Sequence, residues 1–307
     1  MRWLRWLCVS ACFVMYCCDG AAAWGSRGHE LLSAAAAAHF PAGLPSFLRT
    51  PQVEARIAIL ATEPDVIKGR DDAALTAATS PDHYLDVAAD GTIGGIPLAH
   101  LPATRPEYVA ALERNGVDPY HAGFLPYAIL EGYERLEKDF ALYRAYRATG
   151  RQERLALRES IIVQDLGEFS HFVGDGCQPL HVTTKYNEGG VHAKFEEGVV
   201  ERYVTRAAIE RAMRPARLLP PSLLGVIVAY LRESNADYPK VYARFRGGRF
   251  GADAGPLATE ELARGASFLD DLVYTAWVRS EDESVGYPAV RVRDLESHSV
   301  PAGTSHD

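Results

Sequence analysis

Apolar residues recur along most of this chain at intervals of three and four, the spacing that lines one face of an α-helix. Residues 28–40 combine that spacing with the alanine run Ala34 to Ala38, the strongest helix former, and stop at Pro41. Val53, Ile57, Leu60 and Ala61 predict a helix over 52–63, ended by Pro64. Two long amphipathic stretches follow, 123–148 and 151–175. Three more lie at 192–214, 222–246 and 257–280. Between 80 and 105, Gly, Pro, Asp and Thr accumulate, which predicts a long loop with a short hairpin at Asp90-Gly91. Alternation of period two never persists long enough to build a sheet, and no internal repeat is found. The expected fold is therefore all-α, a single multi-helix domain over 24–285. The polar stretch 286–307, with its Gly and Pro, is expected to be a loosely ordered tail.

The first 23 residues are expected to lie outside that domain. Arg2 and Arg5 precede an apolar run from Leu7 to Cys18, and Ala21-Ala22-Ala23 follows. A charged start, a short apolar core and small residues at a cleavage point describe a signal peptide, too short to span a bilayer as an anchor. The protein is expected to be exported, to the periplasm or the medium, with Trp24 as its first residue and no stable membrane anchor. Four of the five cysteines (Cys8, Cys12, Cys17, Cys18) would leave with the signal, so Cys177 alone cannot form an internal disulfide. Bound metal is a candidate for the missing brace. Removing Arg2, Arg5 and Asp19 takes the formal charge from −8 to about −9. Such an acidic chain has no broad basic surface for duplex phosphates, so any phosphate ester must be held by a local cationic site.

The densest chemistry lies in the segment from Ser170 to His181. His171 and Asp175 are four apart and share one helix face, so both can reach one ion. Pro179 turns the chain and His181 follows. His192 and Glu196 repeat the His-carboxylate pair at the same spacing. Nitrogen and oxygen ligands in this mixture suit zinc. A free amine at Trp24, together with its carbonyl, would form a five-membered chelate, and Gly25 and Gly28 would let the backbone turn so that His29 reaches the same ion. Asp65, at a helix end, and His83, in Ser80-Pro81-Asp82-His83-Tyr84-Leu85-Asp86, are further ligand types. Cys177 is expected to point away from the ligands as a small apolar residue. His39, His100, His121, His298 and His306 are expected at the surface or in ordinary hydrogen bonds.

In this order the motifs Trp-Gly-x-x-Gly-His, Asp, His-Tyr-x-Asp, His-Phe-x-Gly-Asp-x-x-Gln-Pro-Leu-His and His-x-x-x-Glu resemble a known superfamily. It comprises the zinc-dependent phospholipases C of bacteria and the single-strand nucleases of the S-one/P-one type. The resemblance runs with gaps from Trp24 to about Phe195. It implies the all-α fold of that superfamily and a cluster of three zinc ions. The Trp24 amine and carbonyl, His29 and Asp175 would hold one ion. Asp65, His83, His171 and Asp175 would hold a second, with Asp175 shared. His181, His192 and Glu196 would hold a third, more open one. Three Zn²⁺ against these three carboxylates and a bridging hydroxide would leave a local charge of about +2, matched to a phosphodiester. Asp65, Lys68 and Asp175 are expected to carry the chemistry, Lys68 standing where the nucleases have arginine.

His83-Tyr84-Leu85-Asp86 matches the nuclease branch, in which the aromatic residue stacks on a base and the aspartate bonds its edge. Tyr84 and Asp86 are thus expected to bind substrate. The main expectation is an endonuclease for single-stranded DNA or RNA that leaves 5′-phosphates, with nucleic acid or nucleotides as substrate and no protein partner. His192-x-x-x-Glu196 is the phospholipase form, so a phospholipase C acting on lipid headgroups is the alternative. A zinc-binding module without activity is the non-enzymatic alternative.

Overall fold

The computed structural model describes residues 24–68 and 72–304. It is all-α: its regular structure is helical except for two two-residue hairpins, β1 (Thr92–Ile93) with β2 (Ile96–Pro97), and β3 (Ser284–Val285) with β4 (Val290–Arg291). The expected signal segment 1–23 lies outside the described residues.

Six long helices make the frame: α1 (Gly25–His39), α2 (Pro51–Leu60), α3 (Leu125–Ala148), α4 (Gln152–Cys177), α5 (Leu223–Arg244) and α6 (Gly255–Arg279). Helix α2 starts where Thr50 accepts a hydrogen bond from Val53 N and Pro51 occupies the first turn, whose free N–H positions suit proline. Helices α3 and α4 form a long antiparallel pair across the tight turn at Gly150, which takes a positive φ of 70°. Helix α4 is amphipathic at its start and enclosed at its end. From Phe169 to Cys177 every residue except Phe172 is buried, under α1, α5 and α6. A helix apolar on one face only becomes central where neighbours cover its other sides, and this enclosed half carries the chemistry.

Four local expectations change. The stretch 192–214 is not one helix: it divides into Val191–Ala193, a π-helical turn Lys194–Val199, Val200–Tyr203 and Arg206–Ala212. A helix at Arg105–Arg114 follows the long loop, started by a reciprocal cap between Thr104 and Glu107. The hairpin in the loop turns at Gly94-Gly95, both at positive φ, while Asp90 accepts hydrogen bonds from Thr92. The segment expected as a loose tail carries β4 and a short helix, Val292–Glu296. Val285, Val290, Val292 and Leu295 form a small second core with Ala141 and Ala145 of α3, which holds residues 285–295 against the frame. No described helix is long and apolar enough to cross a membrane.

Candidate metal centre

The ligand-type residues named from the sequence converge at the buried end of α4. His171 and Asp175 project from one face of it, with His171 Nε2 3.3 Å from Asp175 Oδ2. His29 comes from α1 and stacks on His171, ring centroids 4.0 Å apart and nearly parallel. Its Nε2 is 3.6 Å from Asp175 Oδ1. Asp65 and His83 arrive from the opposite side: His83 Nε2 and His171 Nε2 lie 3.6 and 3.9 Å from Asp65 Oδ1. His181, in the turn Pro179–Val182, has Nδ1 3.5 Å from Asp175 Oδ1. Its Nε2 is 3.1 Å from Glu196 Oε1, which His192 Nε2 approaches to 2.6 Å.

These contacts resolve into three groups: His29, Asp65 and His171; His83, His171 and Asp175; and His181, His192 and Glu196. Within each, the ligand atoms lie no more than 4.8 Å apart. The third group is the set expected for the open ion. His29 stands beside both Asp65 and Asp175, so the structure brings it to the same centre without separating two ligand sets there. Trp24 is wholly buried. Its indole N–H donates to Gly174 O at 2.9 Å and approaches Cys177 Sγ at 3.3 Å, and its carbonyl accepts from Gly28 N. Trp24 thus lies against α4 in the very turn that carries Asp175. Cys177 donates to Gly174 O, and burial pushes its thiol up to about 12.

The donor set fits metal on a specific observation. Among the described residues, nine of the thirteen buried side-chain nitrogen and oxygen atoms without a hydrogen-bond partner belong to His29, His83, His171, Asp175, His192 and Glu196. An unpaired buried polar atom costs about 1–3 kcal/mol, so six residues with such atoms in one place call for a shared partner. Three histidines have Nδ1 held by a backbone carbonyl: His83 by Thr79 at 3.0 Å, His171 by Ala61 at 2.8 Å and His181 by His83 at 2.5 Å. That fixes each ring and leaves Nε2 for the centre, the usual support of a metal-binding imidazole.

For His29 and His83 the electrostatics agree. Burial, then the neighbouring imidazole of His171 and others, holds His29 well below the usual histidine range. Burial, Lys68 and His171 do the same to His83. Neutral imidazole is the metal-binding form. Burial raises Asp175 despite His171 and His181. For Glu196, burial is outweighed by His192 and His181, which draw it down to about 2. For His181, burial is outweighed by Asp175 and Glu196, which push it up to about 9.

A cleft of about 350 Å³ opens beside the centre, lined among others by Lys68, His83, Tyr84, Asp86, His181 and His192. Lys68 Nζ is 3.1 Å from Asp65 Oδ1. Tyr84 is half-buried, and its hydroxyl donates to Tyr120 O at 2.5 Å. Burial pushes the Asp86 carboxyl up to about 6 despite His121. Tyr120, His121 and Tyr186 also line this cleft. No local pattern marks them, because they are brought in by segments 35 or more residues from Tyr84. Gly174 and Gln178, which stand in the His-Phe-x-Gly-Asp-x-x-Gln-Pro-Leu-His motif but are not ligand types, touch ligands directly: a β-carbon on Gly174 would stand 2.8 Å from His29 Nδ1, and Gln178 Nε2 donates to Glu196 Oε1.

No family model matches the chain, and no curated protein matches it. Among solved structures it is similar to the alpha toxin of Clostridium absonum, with 15% identity and a TM-score of 0.46 over 85% of this chain and 68% of that one. It is also similar to the Clostridium perfringens alpha-toxin from an avian strain, with 15% identity and a TM-score of 0.44 over 87% of this chain and 69% of that one.

Proposed function

We propose that this protein is a zinc-dependent hydrolase of phosphodiesters, of the phospholipase C type. The observation that carries the proposal is the convergence, at the edge of an open cleft, of six residues whose buried side-chain atoms lack hydrogen-bond partners: His29, His83, His171, Asp175, His192 and Glu196. His29, Asp65, His83, His171, Asp175, His181, His192 and Glu196 would hold the ions. Bound there, divalent zinc supplies Lewis acidity toward a phosphoryl oxygen and toward an attacking water. The backbone carbonyls of Ala61, Thr79 and His83 keep the imidazole rings aimed at the centre. Lys68, beside Asp65, adds positive charge on the cleft wall.

The cleft lining favours a small diester with a cationic headgroup over a polynucleotide. Among the described residues, Lys68 is the only lysine or arginine lining the cleft, whereas a nucleic acid strand brings a phosphate with every nucleotide and is gripped by several cations. Tyr84, Tyr120 and Tyr186 with the Asp86 carboxylate offer aromatic rings and a negative charge, which suit an ammonium group. A second reading, a single-strand nuclease, is favoured by Tyr84 itself. It directly follows ligand-type His83 and lines the same cleft, a place from which a ring can stack on an unpaired base. The zinc-loaded protein should be assayed on phosphatidylcholine vesicles, single-stranded DNA, RNA and 3′-nucleotides. Turnover of the lipid is expected. Robust cleavage of nucleic acid with no lipid turnover would hand the function to the nuclease reading, and inactivity on all four would leave a zinc-binding module.

A further inference from the structure

Gln178 caps the C-terminal end of α4 and is completely buried. Its side-chain oxygen accepts a hydrogen bond from Leu180 N at 2.7 Å. A backbone N–H can only donate, so the amide's oxygen must face Leu180 and its NH₂ must face the other way. There Nε2 donates to Glu196 Oε1 at 2.6 Å. Glu196 sits in the π-helical turn Lys194–Val199, so its direction is not set by ordinary α-helical register relative to His192. Its Oε1 is shared by Gln178, His181 and His192, while its Oε2 is buried with no partner.

We propose that Gln178 is a positioning residue for the third ligand group. It clamps Glu196 through Oε1 and so fixes the plane in which the carboxylate meets His181 and His192. The proposal rests on the metal-centre reading above. The Gln178 side chain makes its hydrogen bonds to Glu196 and Leu180, and not to Asp65 or Asp175, the carboxylates of the other two groups. Loss of the clamp should therefore be felt at one ion only. Outer-shell partners of this kind are worth about 10–100-fold in metal affinity.

The test is zinc titration of metal-stripped protein against a chromophoric chelator, with thermal melting of the stripped protein run alongside. Gln178→Met removes both polar contacts at similar size. Gln178→Glu keeps an acceptor for Leu180 N–H and replaces only the donor toward Glu196. Both variants should bind the two ions of the other groups as the wild type does, and the third about 10–100-fold more weakly. A third-ion affinity within threefold of wild type in either variant overturns the proposal, and so does an equal weakening of all three ions, the signature of a packing defect. Failure of the metal-centre reading looks different: the wild-type protein would itself bind no zinc.

Discussion

Gly174→Ala is the smallest change expected to disturb the centre. Gly174 lies inside α4 between His171 and Asp175, and its missing side chain is the space in which the His29 ring sits. An added β-carbon would stand 2.8 Å from His29 Nδ1 and 3.0 Å from Cε1. Ordinary contact begins near 3.4 Å, so the ring must retreat by about 0.6 Å. It is stacked on His171 at 4.0 Å and is fully buried, so it cannot do so without leaving its place beside Asp175. Metal–ligand distances tolerate only about 0.2 Å, and His29 should be lost as a ligand, with at least a tenfold fall in affinity for the ion it helps to hold. The fold should survive. Alanine is preferred over glycine within a helix by about 0.5–1 kcal/mol, against an overpacking cost of about 1–3 kcal/mol, so Tm of the metal-free protein should fall by only a few degrees. Zinc content by mass spectrometry at limiting zinc measures the effect, with Gly43→Ala, whose β-carbon would meet nothing within 4 Å, as control. A Gly174→Ala protein with the full wild-type zinc complement and affinity would refute the placement of His29 in the centre.

Asp175→Asn should cost more bound zinc than His192→Ala, because Asp175 is approached by His29, His171 and His181 whereas His192 serves the third group alone; equal losses in metal analysis would contradict a shared role for Asp175. Tyr84→Ala should lower kcat/KM about tenfold to a hundredfold on the natural substrate, the worth of roughly 1–3 kcal/mol of ring contact, with zinc content and turnover of bis(p-nitrophenyl) phosphate nearly unchanged; equal loss on both substrates would mean that Tyr84 only supports the fold. Asp270, far in sequence from the ligands, tests the electrostatics of the core: burial, then the Asp271 charge, pushes it up to about 9 despite Arg214. Its folded-state value exceeds the unfolded one, so its contribution to stability is complete below about pH 4 and is lost as pH rises toward 9. Asp270→Asn has no proton to lose, and its Tm relative to wild type should climb across that window; a difference independent of pH would show that Asp270 is not held protonated.

The helical frame was legible because its signals are local. Helices α1, α3, α4, α5 and α6 fall within about three residues of the spans set by apolar spacing and proline stops. The His171/Asp175 pair was legible for the same reason, since residues four apart on an α-helix share a face, and the same spacing singled out His192 and Glu196. What local spacing could not supply is where segments meet. His29, Asp65 and His83 meet His171 from more than 80 residues away, and only their residue type and their match to the superfamily's motifs singled them out. Tyr120 and Tyr186 enter the cleft with no motif at all. The π-helical turn at Lys194–Val199 is invisible to a 3.6-residue period, although it decides where Glu196 points. The capped helix at Arg105–Arg114 carried a readable sign, Thr104 with Glu107 three residues on. The ordered segment after Ser284 depends on a few valines whose partner is the distant Ala141 and Ala145 surface, a short apolar pattern easily taken for a loose end.

Hydrolysis of bis(p-nitrophenyl) phosphate by chelator-stripped protein, followed as zinc is added back, tests the central claim most directly. The clustered histidines and carboxylates predict no turnover in stripped protein, and recovery that rises with added zinc and saturates once the buried groups are filled. Turnover that is unaffected by stripping, or a protein that takes up zinc fully and still hydrolyses no phosphodiester, would contradict a zinc-dependent phosphodiesterase.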